Sequence, residues 1–233
     1  MELTPHTLTL GFLWYIAFLF STVCHEGAHA LAGKIGGDPT AFEAGQVSLN
    51  PIPHIRREPF GLVLVPLLSY AWQGWMMGWA SAPYDPRWQR SHPRRAGWMA
   101  LAGPGANFTL LVLAGIGIRA GLWSGVFRLP LTFGFTSLVE AVDPERLGFL
   151  ATLLSIFFTL NLILMTFNLL PVPPLDGSTG IAVLLPEKSA VRLMDFFRES
   201  GMGFLGIVLA WVVYGYIFRW VAPIAIHLLF LNL

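Results

Sequence analysis

Four long apolar runs govern what this chain can fold into: roughly Leu8–Ala32, Ala96–Leu122, Leu147–Leu170 and Phe204–Leu229. About 20 helical residues, rising 1.5 Å each, cross a hydrocarbon core of about 30 Å. No water reaches the backbone there, so spanning segments of this length must be helical. Only 12% of residues are charged, against about 25% in soluble domains. The expected fold is an all-α membrane protein, a polytopic bundle of about four spanning helices. The bilayer is then a partner; the net charge of +1 says nothing about nucleic acid, and with no basic-aromatic strip in the chain no nucleic-acid partner is expected. The first run lacks the basic flank of a signal peptide and exceeds its usual apolar length of about 7–15 residues, so it reads as a retained helix. Residues 1–233 read as a single domain, with a core over 8–185 and a C-terminal helix over 204–229.

A fifth apolar stretch, Phe60–Ala80, contains Pro66, Gln73 and three tryptophans crowded towards its end, Trp72, Trp75 and Trp79. Its two readings, spanning and re-entrant, place the basic residues differently. If it enters and leaves on one face, ten of the fourteen Lys and Arg residues share one side. These are Lys34, Arg56, Arg57, Arg87, Arg90, Arg94, Arg95, Lys188, Arg192 and Arg198. The positive-inside rule makes that side cytoplasmic. A full crossing would carry Arg87, Arg90, Arg94 and Arg95 outside, so the expectation is a re-entrant or extended membrane-associated element. Arg219 interrupts the last run and is expected to snorkel to the outer interface, leaving Val221–Leu233 as an interfacial or re-entrant tail.

The chemistry concentrates at His25-Glu26-Gly27-Ala28-His29, inside the first run. Residues four apart lie on one helix face, so His25 and His29 can offer two imidazoles to one ion. Glu26 stands where an H-E-x-x-H hydrolase keeps the carboxylate that takes a proton from water. Ionisable groups at membrane depth cost roughly 2.5–3.5 kcal/mol each when central, which argues against a chance cluster. Cys24 reads as packing, because adjacent helix positions point about 100° apart. A catalytic zinc wants three protein ligands and an open position. The third candidate lies in Asn168-Leu169-Leu170-Pro171-Val172-Pro173-Pro174-Leu175-Asp176-Gly177. The prolines stop the helix, and Asp176 either caps the turn that follows or completes a metal site. With the re-entrant assignment, His25, His29 and Asp176 all fall near the cytoplasmic ends of their helices, as one metal requires.

These blocks, with Ala102-Gly103-Pro104-Gly105-Ala106-Asn107 between them, make the chain resemble the site-2 proteases, intramembrane zinc metalloproteases. It is most similar to their minimal bacterial-type members, since no stretch is long and polar enough to be a PDZ or CBS domain. The family's last block reads N-x-x-P-x-P-x-L-D-G, and every fixed position is present. The resemblance implies one zinc per chain on His25, His29 and Asp176, with Glu26 as general base. It also implies a membrane-spanning or membrane-associated protein substrate, cut near the cytoplasmic face of the cell membrane.

Asn107 and Asn168 are candidates for holding an extended substrate or polarising its carbonyl. Asn161 reads as interhelical hydrogen bonding, and Ala102, Gly103, Gly105 and Ala106 as close helix packing. His54 is a minor site candidate, while His6, His92 and His227 read as ordinary packed or interfacial histidines. The competing function is a non-catalytic metal-binding membrane transporter or scaffold. A transporter would spread ionisable groups along a path or show inverted repeats, and a scaffold has no physical need of Glu26. The oligomeric state is not encoded in any of these features.

Overall fold

The computed structural model describes every residue except Met1, Leu3, Met202 and Leu233. The chain runs through α1 (Pro5–Gly36), α2 (Thr40–Glu43), α3 (Pro51–Arg57), a π-helical turn (Phe60–Leu64), α4 (Val65–Gln73), α5 (Pro86–Ser91) and α6 (Pro93–Trp123). A short hairpin of β1 (Phe127–Arg128) and β2 (Glu140–Ala141) follows. Then come α7 (Pro144–Asn168), α8 (Asp176–Gly180) with a 3-10 turn, α9 (Glu187–Glu199) and α10 (Gly203–Phe230). Among the described residues, α1, α6, α7 and the Leu205–Phe230 stretch of α10 are long and apolar enough to cross a membrane, which is the polytopic all-α architecture expected.

Each of α1, α6 and α7 begins one turn ahead of its apolar run, on Pro5, Pro93 and Pro144. Proline is tolerated there because the first turn leaves its N–H groups unpaired anyway. Thr4 closes a capping box on α1, and the Asp143 carboxylate caps α7 by accepting from the Arg146 N–H. Gly37, at φ 101°, ends α1 in the left-handed conformation that glycine adopts without strain.

The fifth apolar stretch folds back on itself. Pro66 has no N–H to donate and its ring crowds the preceding turn. The ladder widens accordingly just before it, where the Val65 N–H reaches back to the Phe60 carbonyl. Helix α4 ends at Gly74, φ 79°. The chain then returns extended beside its own helix, with the Met77 N–H donating to Ser69 Oγ at 2.9 Å and the Trp79 N–H to Gly61 O at 3.2 Å. Phe60–Ala80 is thus a helix-and-return element, with Trp72 and Trp79 exposed.

The end of the chain differs from expectation. Val221–Phe230 of the expected Val221–Leu233 tail is not a separate segment: α10 continues through Arg219 and Pro223 to Phe230, and Leu233 lies outside the described residues. Arg219 stays within the helix and lies 4.9 Å over the Tyr216 ring, so a single charge among apolar residues did not stop the ladder.

Helices α1, α6 and α7 pack together as the centre of the bundle. Leu13, Trp14, Ala17 and Phe18 of α1 bury against Leu62, Met76, Ile156 and Leu160. In a second cluster, Ile118 of α6 and Phe158 of α7 pack with Phe127, Leu138 and Val139 of the hairpin region. A buried polar chain joins the three helices: Asn107 Nδ2 donates to Asn161 Oδ1 at 2.8 Å, and Asn161 Nδ2 to Ser21 Oγ at 2.9 Å. Asn161 is therefore the interhelical link expected of it.

Candidate metal centre

His25 and His29 lie one helical turn apart on α1, buried, on the face turned to α6. Each ring is fixed through its Nδ1. His29 Nδ1 donates to the Met99 carbonyl at 2.7 Å, a partner that can only accept. His25 Nδ1 is 2.5 Å from Asn107 Oδ1, whose amide nitrogen is committed to Asn161 and to the Ser21 carbonyl. With both Nδ1 atoms donating, each imidazole in its neutral form turns an Nε2 lone pair inwards.

Those lone pairs meet. The two Nε2 atoms are 3.0 Å apart, His25 Nε2 is 3.0 Å from Asp176 Oδ2, and His29 Nε2 is 3.3 Å from Asp176 Oδ1. Ligands held at about 2.0–2.1 Å by a tetrahedral zinc stand about 3.3 Å from one another. With the imidazoles neutral, three acceptors stand at nearly the spacing of ligands around one cation. Gly103 of α6 leaves the space for it: a Cβ there would sit 2.3 Å from His29 Nε2 and 2.5 Å from His25 Nε2. The residues present therefore fit a divalent metal of zinc type. Among the described residues, His25, His29 and Asp176 form the one His/Cys/Asp/Glu group close enough to share an ion, and Cys24 is not part of it.

Asp176 arrives by a different route. Helix α7 ends at Asn168, and a proline-rich turn leads to α8, whose first residue is Asp176. Gly177 lets that turn lie against the end of α7, because a Cβ there would be 2.3 Å from the Leu169 carbonyl and 2.4 Å from that of Leu170. Leu170 and Leu175 pack on Ala210 and Tyr214 of α10. Gly206 allows α10 to approach the Pro173 carbonyl, which its Cβ would meet at 1.8 Å. The last helix, undiagnostic by its sequence, supports the aspartate.

Two cavities meet at this cluster. The larger, about 580 Å³, runs from His25 and Glu26 past Thr22, Asn168 and Phe167 to Ile207 and Trp211 of α10. The smaller, about 200 Å³, runs from Glu26 and His29 to Asp38, Tyr84 and Gln89. Glu26, Asp176 and the extended stretch Ala80–Ser81 line both. Ala80, Ser81, Ala82 and Tyr84 make no backbone hydrogen bond within the described residues, so a bare peptide edge faces the cluster.

The two asparagines separate. Asn168 is half-buried on the wall of the larger cavity, with its Nδ2 donating to the Leu164 carbonyl at 3.0 Å and its Oδ1 left free. Asn107 corrects the substrate-binding expectation. It is fully buried behind His25 with its amide engaged on protein groups, and it orients a ring rather than facing a cavity. His54 is buried against the Ser48 carbonyl at 3.0 Å and lines neither cavity. His92 stacks on Trp88. Gly103 was read as helix packing alone, whereas it faces both ring nitrogens. Its signal was the helix-surface spacing between Gly103 and Asn107, four residues apart in one block, which places them on one face of α6.

A bundle with four helices long and apolar enough to cross a membrane, carrying a two-histidine, one-carboxylate cluster with a neighbouring glutamate, defines the class to which the relatives also point. Over 202 residues the chain is 36% identical to the Bacillus subtilis (strain 168) protein named "Putative zinc metalloprotease YwhC", covering 84% of this chain and 78% of that one. It is 28% identical over 160 residues to "Putative zinc metalloprotease Rip2" of Mycolicibacterium smegmatis (strain ATCC 700084 / mc(2)155), covering 69% of this chain and 52% of that one. The chain belongs to this family, the site-2-protease-like zinc metalloproteases that its motifs resemble. The relatives' names support a zinc metalloprotease function. No family model and no solved structure matches the chain.

Proposed function

We propose that this protein is an intramembrane zinc metalloprotease, cutting a membrane-spanning or membrane-associated protein near the cytoplasmic face of the cell membrane. The observation that carries the reading is the convergence of two Nδ1-tethered histidines and Asp176 beside Glu26, under a bare peptide edge. His25, His29 and Asp176 would hold one zinc ion, which supplies a Lewis acid and a water of lowered pKa. Glu26, at the junction of the two cavities, accepts the proton of the attacking water and returns it to the leaving nitrogen. A helical substrate has its backbone bonds satisfied, so it must open locally before attack. Ala80–Tyr84 offers N–H and carbonyl groups to the opened strand by β-addition. Asn168 lies where its free Oδ1 can meet that strand. The competing transporter or scaffold reading draws no support from the relatives' names.

The test of mechanism is Glu26→Gln, which removes the proton acceptor and leaves the ligands. Zinc content should stay near one per chain, while cleavage of a single-span reporter falls by about a hundredfold or more. Near-normal cleavage would remove Glu26 from its role, and loss of zinc would make it a ligand. Orientation is tested by impermeant thiol labelling of intact cells in a Cys24→Ala background. A cysteine replacing Ser124, at the end of α6, should be labelled, and one replacing Arg90, in α5, should not. The reverse pattern overturns the cytoplasmic placement.

A further inference from the structure

The extended segment from Trp79 to Asp85 is fixed at three points. Its first tie is the Trp79 N–H to Gly61 O, where paired glycines let the two backbones touch. A Cβ on Gly61 would lie 2.2 Å from the Trp79 carbonyl, and one on Gly78 2.1 Å from the Gly61 carbonyl. The second is Ser81 Oγ, which donates to Glu58 Oε1 at 2.6 Å and accepts from Arg57 Nε at 3.1 Å. The third is the Asp85 N–H, which donates to Asp38 Oδ2 at 2.8 Å.

Asp38 is the unusual anchor. It is 2% exposed, and a buried carboxylate without a cation is costly unless its oxygens are well hydrogen-bonded. Here its other oxygen, Oδ1, accepts from the Thr40 N–H at 3.0 Å and from Thr40 Oγ1 at 2.5 Å. Burial pushes its carboxyl up, but the hydrogen bonds from Thr40 and Asp85 outweigh that and hold it below the usual carboxylate range. Its own N–H donates to the Gly33 carbonyl at 2.8 Å, one turn beyond His29 on α1. It lines the same 200 Å³ cleft as Glu26, His29 and Asp176.

The geometry points to Asp38 as a positioning residue: its carboxylate ties the end of α1 to Asp85 and so fixes the distance between Glu26 and the bare peptide edge Ala80–Tyr84. This rests on the protease reading above. The edge has no helix or sheet partner of its own, so its rigidity comes from its ties. Releasing the Asp85 tie lets the segment move away from the cluster without touching any ligand. A substrate strand must then order the edge as it binds, which weakens binding and leaves the bound complex equally competent.

The experiment uses the full chain, zinc-loaded, in lipid nanodiscs. Asp38→Asn keeps an oxygen for Thr40 and sets an amide against the Asp85 N–H. Asp38→Ser, whose hydroxyl is too short to serve both partners, is the second variant should the first fail to fold. Amide exchange over residues 79–86, read at the tied Trp79 and Asp85 N–H groups, should quicken about tenfold, from loss of one charge-assisted bond, with α1 and α6 unchanged and zinc near one per chain. With a single-span reporter, KM should rise about tenfold at nearly constant kcat. Unchanged exchange over 79–86 overturns the proposal. So does loss of zinc, or equal quickening in α1 and α6, since Asp38 would then be a general scaffold residue. A wild-type protein that cuts no reporter with zinc bound refutes the protease reading instead, and the exchange pattern still decides the tether.

Discussion

His25 and His29 ride on an uninterrupted 32-residue helix, whereas Asp176 sits at the mouth of a five-residue helix after a proline-rich turn. The histidine half is held locally: helix geometry sets the spacing, and Met99 O and Asn107 Oδ1 set each ring. The aspartate half is held from a distance, by Gly177 against the end of α7 and by Leu170 and Leu175 against α10. The side chain of Asp176 keeps 21% of its surface, against 8% and 9% for the histidines, so the carboxylate is the partner nearest the open cavities. The site thus joins a rigid, deeply buried histidine pair to a more accessible carboxylate.

Deleting the rigid half should have the largest effect. In the His25→Ala/His29→Ala double variant, zinc measured by atomic absorption should drop from about one per chain to near zero. Asp176→Asn keeps an oxygen facing the histidines and should retain zinc weakly, between the wild type and the double variant. Equal loss in both would erase the distinction between the halves.

Gly103→Ala probes the space the rigid pair encloses. The added methyl collides with both Nε2 atoms, so zinc affinity in a competitive chelator titration should fall by more than the roughly 100-fold typical of changes behind the ligands. Normal affinity would mean that the ion does not lie between α1 and α6.

Asn107→Ala gives the smallest change. It frees one ring without removing a ligand, and a loss of about 10–100-fold in zinc affinity is expected. No change would show that the helix alone orients His25.

Much of this was legible beforehand because the bilayer restricts the choices. The four apolar runs could only be helices, and the starts of α6 and α7 were missed by one turn because charged residues such as Arg94 and Glu145 lie inside the helical ladder at its polar end. The tail after Arg219 was misread for a related reason: one arginine can lie along an exposed helix face without breaking its backbone bonds. Phe60–Ala80 was placed as re-entrant by charge balance, yet nothing in its composition specified that the return strand would dock on Gly61. Asn107 was misassigned because an amide near a proposed site looks the same in sequence whether it faces a cavity or a ring nitrogen.

The sequence by itself determined the class of fold and the local half of the site. Helical periodicity puts His25 and His29 on one face, and the bilayer forbids irregular backbone where water cannot reach. The tertiary structure brings Asp176, 147 residues after His29 by their numbering, into one cluster with the histidines within 4.8 Å, as the Asn168–Gly177 block implied. It alone decided that Gly103 leaves the space and that Asp38 ties the peptide edge. Contacts at such separations depend on how α6, α7 and α10 pack, and no short-range pattern of residues encodes that packing.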